Sequence, residues 1–318
     1  MKLEDIGFYT LSDKRCKNAS SSSRLMRGEI ILTGRCNFSC PYCRHVGGPD
    51  RDSKSTIDLI DQLAKEGLFA IRFSGGEPTM HPRLPDFVMY SRWVGIKKIA
   101  ISTNGSVNLE FYKRLLDLGV NDFSISLDAC CAEDGDRMSG GIKGAWNKVV
   151  NNIRELSKLT YVTVGVVLTE ENLPSINDII TFASGLGVAD IRIIPAAQNG
   201  DKLQNVKVDA AILAKHPILR YRINNIQQNI PVRGLSDSDS GKCAIVLDDL
   251  AVMGDYHYPC IIYMRESGKP IGKIGPNMRK EREEWYNSHD CQKDEICKKN
   301  CLDCIVLYNN KYQENRCS

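Results

Sequence analysis

Residues 34–43 read GRCNFSCPYC and follow directly on a short apolar run, EIILT, at residues 29–33. Its three cysteines, Cys36, Cys40 and Cys43, have the spacing C-x3-C-x2-C. Three thiolates can bind three irons of a [4Fe–4S] cube, which leaves the fourth iron open to a small molecule. A zinc site would need a fourth ligand, for which His45 stands two residues further on. Three cysteines without a metal are the remaining alternative, and the spacing favours the iron–sulfur cluster.

Outward from this stretch, apolar or β-branched runs alternate with helix-like sequence. The runs lie at residues 29–33, 69–74, 97–102, 122–127, 161–168 and 189–194. The segment after the first run has apolar residues at helical spacing, with Ser55 or Thr56 as its cap. Six strand–helix units with short connections predict an α/β fold of parallel strands, either an open doubly wound sheet or a partial (β/α)6 barrel. In both, ligands gather at the carboxyl ends of the strands.

The sequence divides into four parts. Residues 1–28 are a polar lead-in, residues 29–197 form the strand–helix region, and residues 198–240 are a polar connecting region with a helix-like patch at 210–226. Residues 241–318 contain seven cysteines and few long apolar runs. Since such a segment cannot build a large apolar core, we expect metal ligation to stabilise a small C-terminal cluster-binding extension.

Composition limits the class of protein. No apolar run is long enough to span a membrane, and the first ten residues, MKLEDIGFYT, contain no signal-peptide core. We therefore expect a cytoplasmic location and no membrane partner. The 42 basic and 39 acidic side chains do not call for a nucleic-acid partner, although they do not exclude one. Thirteen cysteines in such a chain favour metal binding or catalysis over disulfides.

From about residue 29 to residue 195, the sequence resembles the radical S-adenosylmethionine (AdoMet) superfamily, whose signature is C-x3-C-x2-C after the first strand. The resemblance implies that Cys36, Cys40 and Cys43 hold the AdoMet cluster and that AdoMet chelates the open iron through its amino and carboxylate groups. One electron then breaks the sulfonium bond, and a 5′-deoxyadenosyl radical takes a hydrogen atom from the substrate. A reducing partner such as flavodoxin or ferredoxin is implied as well.

The resemblance also implies AdoMet contacts, most of them at the ends of predicted strands. The matching residues are Tyr42, Gly75, Gly76, Glu77, Ser102, Asn104, Ser126, Asp128 and Arg137. The two glycines would let the backbone approach AdoMet, and Glu77 would accept from its amino group. Tyr42 is similar to the aromatic residue that meets adenine, and Arg137 to an arginine that binds the carboxylate.

Several of these residues have an ordinary structural alternative. The pairs at 75–76 and 104–105 are common turn sequences. Asp128 has the side chain of a helix cap, and Arg137 that of a surface ion pair. Their joint placement at successive strand ends favours the AdoMet site.

The C-terminal cysteines resemble a variant of the SPASM/Twitch extension, which carries auxiliary [4Fe–4S] clusters. By resemblance, Cys243, Cys260 and Cys301 bind one auxiliary cluster, and Cys291, Cys297 and Cys317, with Cys304 as a replacement ligand, bind a second. Ser288 stands where the pattern of the extension has a further cysteine. The alternatives are a single auxiliary cluster and a zinc ribbon built on Cys297, Cys301 and Cys304.

Two adjacent cysteines, Cys130 and Cys131, follow the fourth predicted strand. Some enzymes of this class use a cysteine in the active-site cavity to return a hydrogen atom to a substrate radical, which results in epimerisation. The alternative is that both cysteines are small buried residues without a catalytic role.

The resemblance favours an oxidoreductase or isomerase that modifies a ribosomally made peptide or protein. An enzyme that dehydrogenates, epimerises or isomerises a small molecule such as a sugar, aminoglycoside or nucleoside is the second hypothesis. The strand–helix region is also similar to the molybdenum-cofactor enzyme that rearranges GTP, but its terminal cysteine spacing and glycine-rich tail are missing. A non-catalytic metal-binding regulator is the alternative of another class.

Overall fold

One sheet of nine strands organises the computed structural model of the protein, which describes residues 3, 6, 13–45, 47–197 and 206–317. The strands are β1 (Arg27–Thr33), β2 (Ala70–Gly75), β3 (Lys98–Thr103), β4 (Asp122–Ser126), β5 (Tyr161–Leu168), β6 (Asp190–Pro195), β7 (Asp249–Met253), β8 (Tyr256–Tyr258) and β9 (Gly272–Lys273). Their order is β6-β5-β4-β3-β2-β1-β7-β8-β9. Strands β1 to β6 are parallel neighbours in chain order. The sheet is open, so the predicted α/β fold with a partial six-strand barrel is confirmed.

The helices fill the connections between the strands and build the C-terminal region. They are α1 (Asp13–Cys16), α2 (Ser53–Lys65), α3 (Leu84–Trp93), α4 (Leu109–Leu118), α5 (Ala132–Met138), α6 (Ala145–Ser157), α7 (Ile176–Gly185), α8 (Ala210–Lys215), α9 (Pro217–Gln227), α10 (Ile261–Arg265), α11 (Met278–Ser288), α12 (Glu295–Asn300) and α13 (Asp303–Cys317). No helix in the described ranges is long and apolar enough to cross a bilayer.

Two helix boundaries differ from the prediction. The side chain of Asp52 caps α2 by accepting the Ser55 N–H, while the Ser55 and Thr56 hydroxyls donate to the Asp52 carbonyl. The patch predicted at 210–226 forms two helices, α8 and α9, because Pro217 cannot donate a backbone hydrogen bond and therefore begins a new helix. Residues 198–205 of the predicted connecting region lie outside the described residues.

The main core lies between the parallel sheet and the helices that cross over it. Ile30, Phe73, Ile101 and Phe123 from the strands are buried in one cluster with apolar side chains of α2, α3, α4, α6 and α7. Burial on this scale is the main stabilising contribution to such a fold. A second cluster joins the C-terminal cysteines to aromatic side chains of α11 and α13.

The C-terminal region extends the barrel sheet at the side opposite β6. Strand β7 pairs in parallel with β1, and β8 and β9 then continue the sheet in antiparallel order. These strands are absent from the sequence prediction because each has five residues or fewer, too short for a clear hydrophobic period. The pairing places the cysteine-rich region beside the first barrel strand.

Candidate active site

A cavity of about 370 Å³ opens where the parallel strands end. Its lining includes Cys36, Cys40, Tyr42, Cys43, Gly75, Gly76, Ser102, Asn104, Ser126 and Asp128. Parallel strands bring their carboxyl ends to one edge of the sheet, which explains why residues far apart in sequence meet there. The other predicted contacts, Glu77 and Arg137, are not part of the lining.

The loop after β1 carries the three cysteines. The Cys36 sulfur accepts hydrogen bonds from the Phe38 N–H at 3.4 Å and from Asn104 Nδ2 at 3.8 Å. The Ser39 N–H donates to the Ser139 carbonyl at 3.0 Å, which ties the loop to the end of α5. N–H donors aimed at a sulfur favour its charged form, the form that binds a metal.

The three thiols fit a cluster better than a single zinc ion. Within the described part of the chain, the groups of Cys, His and carboxylate atoms that lie within 4.8 Å of one another do not include these sulfurs. A tetrahedral zinc ion would hold sulfurs only about 3.8 Å apart. Burial, followed by the nearby Asp128 charge, raises the pKa of Cys40 to about 12, so a bound metal is needed to keep that thiol ionised. His45 is exposed to solvent and does not join the three thiols.

The two glycines at the end of β2 run against the cysteine loop. Gly75 has φ 148°, and the Gly76 N–H donates to the Thr33 carbonyl at 2.8 Å. A Cβ on Gly76 would fall on the Arg35 carbonyl oxygen. Only glycine lets these two backbone segments approach so closely, and this approach leaves the backbone of Gly75 and Gly76 facing the cavity.

Glu77 has a different position from the one predicted. Its carboxylate is fully buried, where it accepts from the Thr103 hydroxyl at 2.7 Å, the Asn104 N–H at 2.7 Å, and both the hydroxyl and the N–H of Thr79. Burial raises the pKa of this carboxyl, and the four hydrogen bonds oppose that shift. The carboxylate is thus engaged inside the protein and holds the end of β3 against the loop after β2. The carboxylate is not part of the cavity lining, so its predicted direct contact to AdoMet stays a prediction, and the bonds seen here give it a positioning role.

Asn104 is the residue that Glu77 positions. Its Nδ2 donates to the Asn37 side chain at 2.9 Å and reaches the Cys36 sulfur, and its Oδ1 accepts from the Ser106 N–H at 3.0 Å. The end of β3 is therefore tied to the cysteine loop by side-chain hydrogen bonds.

Asp128 links two parts of the cavity wall. It accepts from the Tyr42 hydroxyl through one oxygen and from the Val167 N–H, at 2.7 Å, through the other. The alternative in which Asp128 caps a helix is wrong, because α5 begins only at Ala132 and has no side-chain cap. The bond between Tyr42 and Asp128 fixes the aromatic ring beside the third cysteine, at the place predicted for adenine.

The position of Asp128 predicts a pH dependence of stability. Burial raises its pKa to about 6, so ionisation destabilises the folded state above pH 6, and this cost disappears as the pH falls through 6 towards 4. At about 1.4 kcal/mol per pKa unit, the effect is up to about 3 kcal/mol. Chemical unfolding of metal-free protein should show that the free energy of unfolding of the wild type is higher at pH 5 than at pH 7.5. Asp128→Asn should lack this increase. If the free energy of unfolding changed equally with pH in the two proteins, the buried position of Asp128 would be contradicted.

Besides Glu77, three predicted residues of the strand–helix region lie outside the cavity lining. Arg137 on α5 is about half exposed and forms ion pairs with Asp134, at 2.5 Å, and with Glu171, so the ion-pair alternative describes it in place of an AdoMet contact. Cys131 is exposed and donates to Asp134 at 3.2 Å, and Cys130 packs against the core. Neither cysteine lines the cavity, so the structure does not support their proposed role as hydrogen-atom donors.

The inner part of the cavity is charged, which was not predicted from the sequence. Glu29 on β1 lies beside Arg72 on β2 in the sheet register and accepts from the Ser74 hydroxyl at 2.7 Å. Arg192 on β6 and Arg233 complete this side of the lining. Glu29, Arg72 and Arg192 could have been identified as charged residues inside apolar strand runs, whereas Arg233 lies in no such run.

The C-terminal cysteines converge on one place. The thiols of Cys243 and Cys291 are close enough to interact, and so are those of Cys291 and Cys297. Cys260 and Cys301 interact electrostatically with Cys243. Hydrogen bonding to Cys291 and burial raise the pKa of the Cys243 thiol well above its ordinary value. Cysteines that the resemblance assigns to two separate clusters, such as Cys243 and Cys291, therefore lie close together in the structure.

Cys304 and Cys317 are not brought together. Cys304 lies at the start of the 15-residue helix α13 and interacts with Cys301, whereas position 317 is the last residue of that helix. A helix of this length is about 22 Å long. The side chain of Cys317 lies outside the described residues.

Comparisons with known proteins agree with this architecture. Residues 30–183 match the family model of the Radical SAM superfamily. A probable GTP 3′,8-cyclase of Sulfolobus acidocaldarius is 34% identical over 171 residues, which are 52% of this chain and 54% of that protein. Mycofactocin maturase MftC of Mycobacterium tuberculosis is 31% identical over 178 residues, which are 53% of this chain and 44% of that protein. Each match spans about half the length of the relative.

Solved structures share the fold over a longer stretch. SuiB of Streptococcus suis bound to S-adenosylmethionine has a TM-score of 0.58 and 14% identity, with 90% of this chain and 72% of that chain covered. SuiB bound to its precursor peptide SuiA has a TM-score of 0.57 and 15% identity, with 86% and 66% covered. At this identity the likeness is one of fold.

Proposed function

We propose, from the match of residues 30–183 to the family model of the Radical SAM superfamily, that this chain is an enzyme that binds AdoMet in the cavity at the strand ends and abstracts a hydrogen atom from a peptide. The observation that carries the proposal is the meeting of three cysteines, a glycine pair and Asn104 around one cavity. A [4Fe–4S] cluster on Cys36, Cys40 and Cys43 supplies the electron that cleaves AdoMet reductively.

In this proposal, the chain's own residues bind AdoMet, orient it and shield the radical. The backbone of Gly75 and Gly76 offers polar groups to the amino acid part of AdoMet, and Glu77 and Asn104 hold that backbone against the cysteine loop. Tyr42, fixed by Asp128, gives an aromatic wall for adenine. A reactive radical must be shielded from water, and the walls of the cavity would provide that shielding.

The proposal is tested by anaerobic reconstitution with iron and sulfide, followed by dithionite reduction with AdoMet. We expect 5′-deoxyadenosine to form. A non-catalytic metal-binding protein would fill its cysteine sites without forming it, and that outcome would remove the proposal.

Peptide modification is supported by two relatives. MftC is named a maturase, and SuiB has been seen with a precursor peptide. A small anionic molecule is the second candidate, supported by the charged inner cavity and by the relative named as a probable GTP 3′,8-cyclase.

The arginines of the inner cavity favour an anionic group on the substrate. Burial, followed by the charge of Arg72, lowers the pKa of Arg192 to about 10, and its Nε has no hydrogen-bond partner among the described residues. Gly165 lies beside the guanidinium, since a Cβ built there would be in ordinary van der Waals contact with Arg192 Nη2, at 3.6 Å. A buried guanidinium is stabilised by a carboxylate or phosphate, so a cationic aminoglycoside is disfavoured.

Arg192→Met is expected to weaken binding of an anionic probe, such as GTP or an acidic peptide, by about 10- to 100-fold. This is the loss of one charge-assisted hydrogen bond, about 1.5–3 kcal/mol. Calorimetric titration measures it, and substrate-free formation of 5′-deoxyadenosine should stay unchanged. The matched control is Arg154→Met, an exposed arginine on α6. Equal affinities for the two variants would exclude Arg192 from the substrate site.

A further inference from the structure

His289 lies among the C-terminal cysteines. Its Nε2 is 3.9 Å from the Cys297 sulfur, and the ligand atoms of His289, Cys291 and Cys297 all lie within 4.8 Å of one another. In the described part of the chain, no other group of three metal-binding side chains is this compact. Imidazole nitrogen and thiolate sulfur at this separation can reach one metal centre with little movement.

The imidazole is held in this position by its neighbours. Its ring stacks on Trp285 with centroids 4.0 Å apart and meets the Tyr263 ring edge to face. Asp294, which accepts from the Tyr263 hydroxyl and from the Cys297 N–H, lies 3.6 Å from His289 Nε2. These contacts hold the ring beside the thiols, with Nε2 as the nitrogen nearest both the Cys297 sulfur and the Asp294 carboxylate.

Ser288, the residue before His289, has another role. The Ser288 hydroxyl is exposed and donates to the Glu284 carbonyl at 2.7 Å, one turn earlier in α11. The Ser288 side chain therefore faces α11, whereas His289, at the C-terminal end of α11, lies beside the thiols.

The thiols around the imidazole form one connected set. The Cys243 thiol lies close to that of Cys291, and the Cys291 thiol lies close to that of Cys297; Cys260 and Cys301 interact electrostatically with Cys243. Cys243, Cys291, Cys297 and Cys301 also belong to one packed cluster of side chains.

We propose that the C-terminal extension holds one metal centre and that His289 is one of its ligands, together with Cys291, Cys297 and the adjoining Cys243. The donor set combines imidazole with thiolate, a combination taken by the iron of an iron–sulfur cluster and by zinc. The inference does not rest on AdoMet cleavage, because the site lies apart from Cys36, Cys40 and Cys43.

The experiment uses the full chain with Cys36, Cys40 and Cys43 all changed to Ala, so that the only metal measured is that of the extension. After anaerobic purification, iron, sulfide and zinc are counted per chain. About four iron and four sulfide identify a cluster, and one zinc without sulfide identifies a single ion; either count supports one centre. About eight iron per chain would mean two clusters and would overturn the proposal.

X-ray absorption at the edge of the metal found tests the ligand directly, because imidazole adds a nitrogen shell and its ring scattering. We expect that signal in the parent protein and its loss in His289→Cys, which keeps a ligand at the position and so keeps the metal. His289→Ala should lose metal, while His45→Ala, an exposed histidine beside the other cysteines, should keep it. Absence of imidazole scattering in the parent, or its persistence in His289→Cys, would overturn the assignment.

Discussion

Cys40→Ala is expected to reduce 5′-deoxyadenosine formation to background while the C-terminal extension keeps its metal. Cys40 is the middle ligand of three, and its sulfur lines the cavity. Two remaining cysteines leave two irons of a cube without protein ligands, so the AdoMet cluster should not assemble. Anaerobic reconstitution followed by chromatography of the products measures the loss, and iron analysis should show about four fewer irons per chain.

The matched control for this change is Cys131→Ala. Cys131 is exposed and lies outside the cavity, and its thiol donates to Asp134. Its removal should leave AdoMet cleavage unchanged. Cleavage that persists in Cys40→Ala would contradict the assignment of the cluster to this loop, and cleavage that is lost in Cys131→Ala would show that position alone does not predict the role of a cysteine here.

Gly76→Ala is expected to weaken AdoMet binding at least tenfold. The added methyl group would overlap the carbonyl of Arg35 in the backbone just before Cys36, and a backbone atom cannot move aside as a flexible side chain can. The cysteine loop must therefore shift, and with it the polar backbone groups of the cavity. Equilibrium binding of AdoMet to the reconstituted protein, together with the thermal midpoint, measures the effect.

Gly185→Ala serves as its control. Gly185 ends α7, its backbone is not in the left-handed region, and nothing lies within 4 Å of a Cβ built there. Alanine at this position should leave AdoMet affinity unchanged and should preserve or slightly raise stability. Normal affinity in Gly76→Ala would mean that the close approach of the two loops is not needed for the site.

The parallel sheet was predictable because each strand is a buried apolar run between amphipathic helices. Strand β5 coincides with its predicted range, and the other five strands begin and end within two residues of theirs. Strand β7 was missed because its five residues are too short to be distinguished from a loop.

The strand-end motifs predicted which residues gather at the cavity but not what each side chain does there. Glu77 was expected to meet AdoMet, yet four donors from Thr79, Thr103 and Asn104 surround its carboxylate, and such three-dimensional partners cannot be read from spacing. Arg137 was placed by the motif order, but the exposed face of α5 turns it towards Glu171.

For the C-terminal extension, the sequence predicts a metal site but not the arrangement of its ligands. A run of cysteines indicates a metal site, whereas the division of ligands between sites depends on how β7, α11 and α12 pack. His289 carried no signal in the cysteine pattern, because a histidine beside cysteines is also common at a protein surface.

The central claim is that the cluster on Cys36, Cys40 and Cys43 keeps one iron open for AdoMet. Electron–nuclear double resonance of the reduced cluster, with AdoMet carrying ¹⁵N at its amino group, tests this most directly. We predict a coupling from the labelled nitrogen that is absent without AdoMet and in Cys40→Ala. A cluster with no coupling to AdoMet but with a nitrogen from His45, or zinc in place of iron in anaerobically purified protein, would contradict the account.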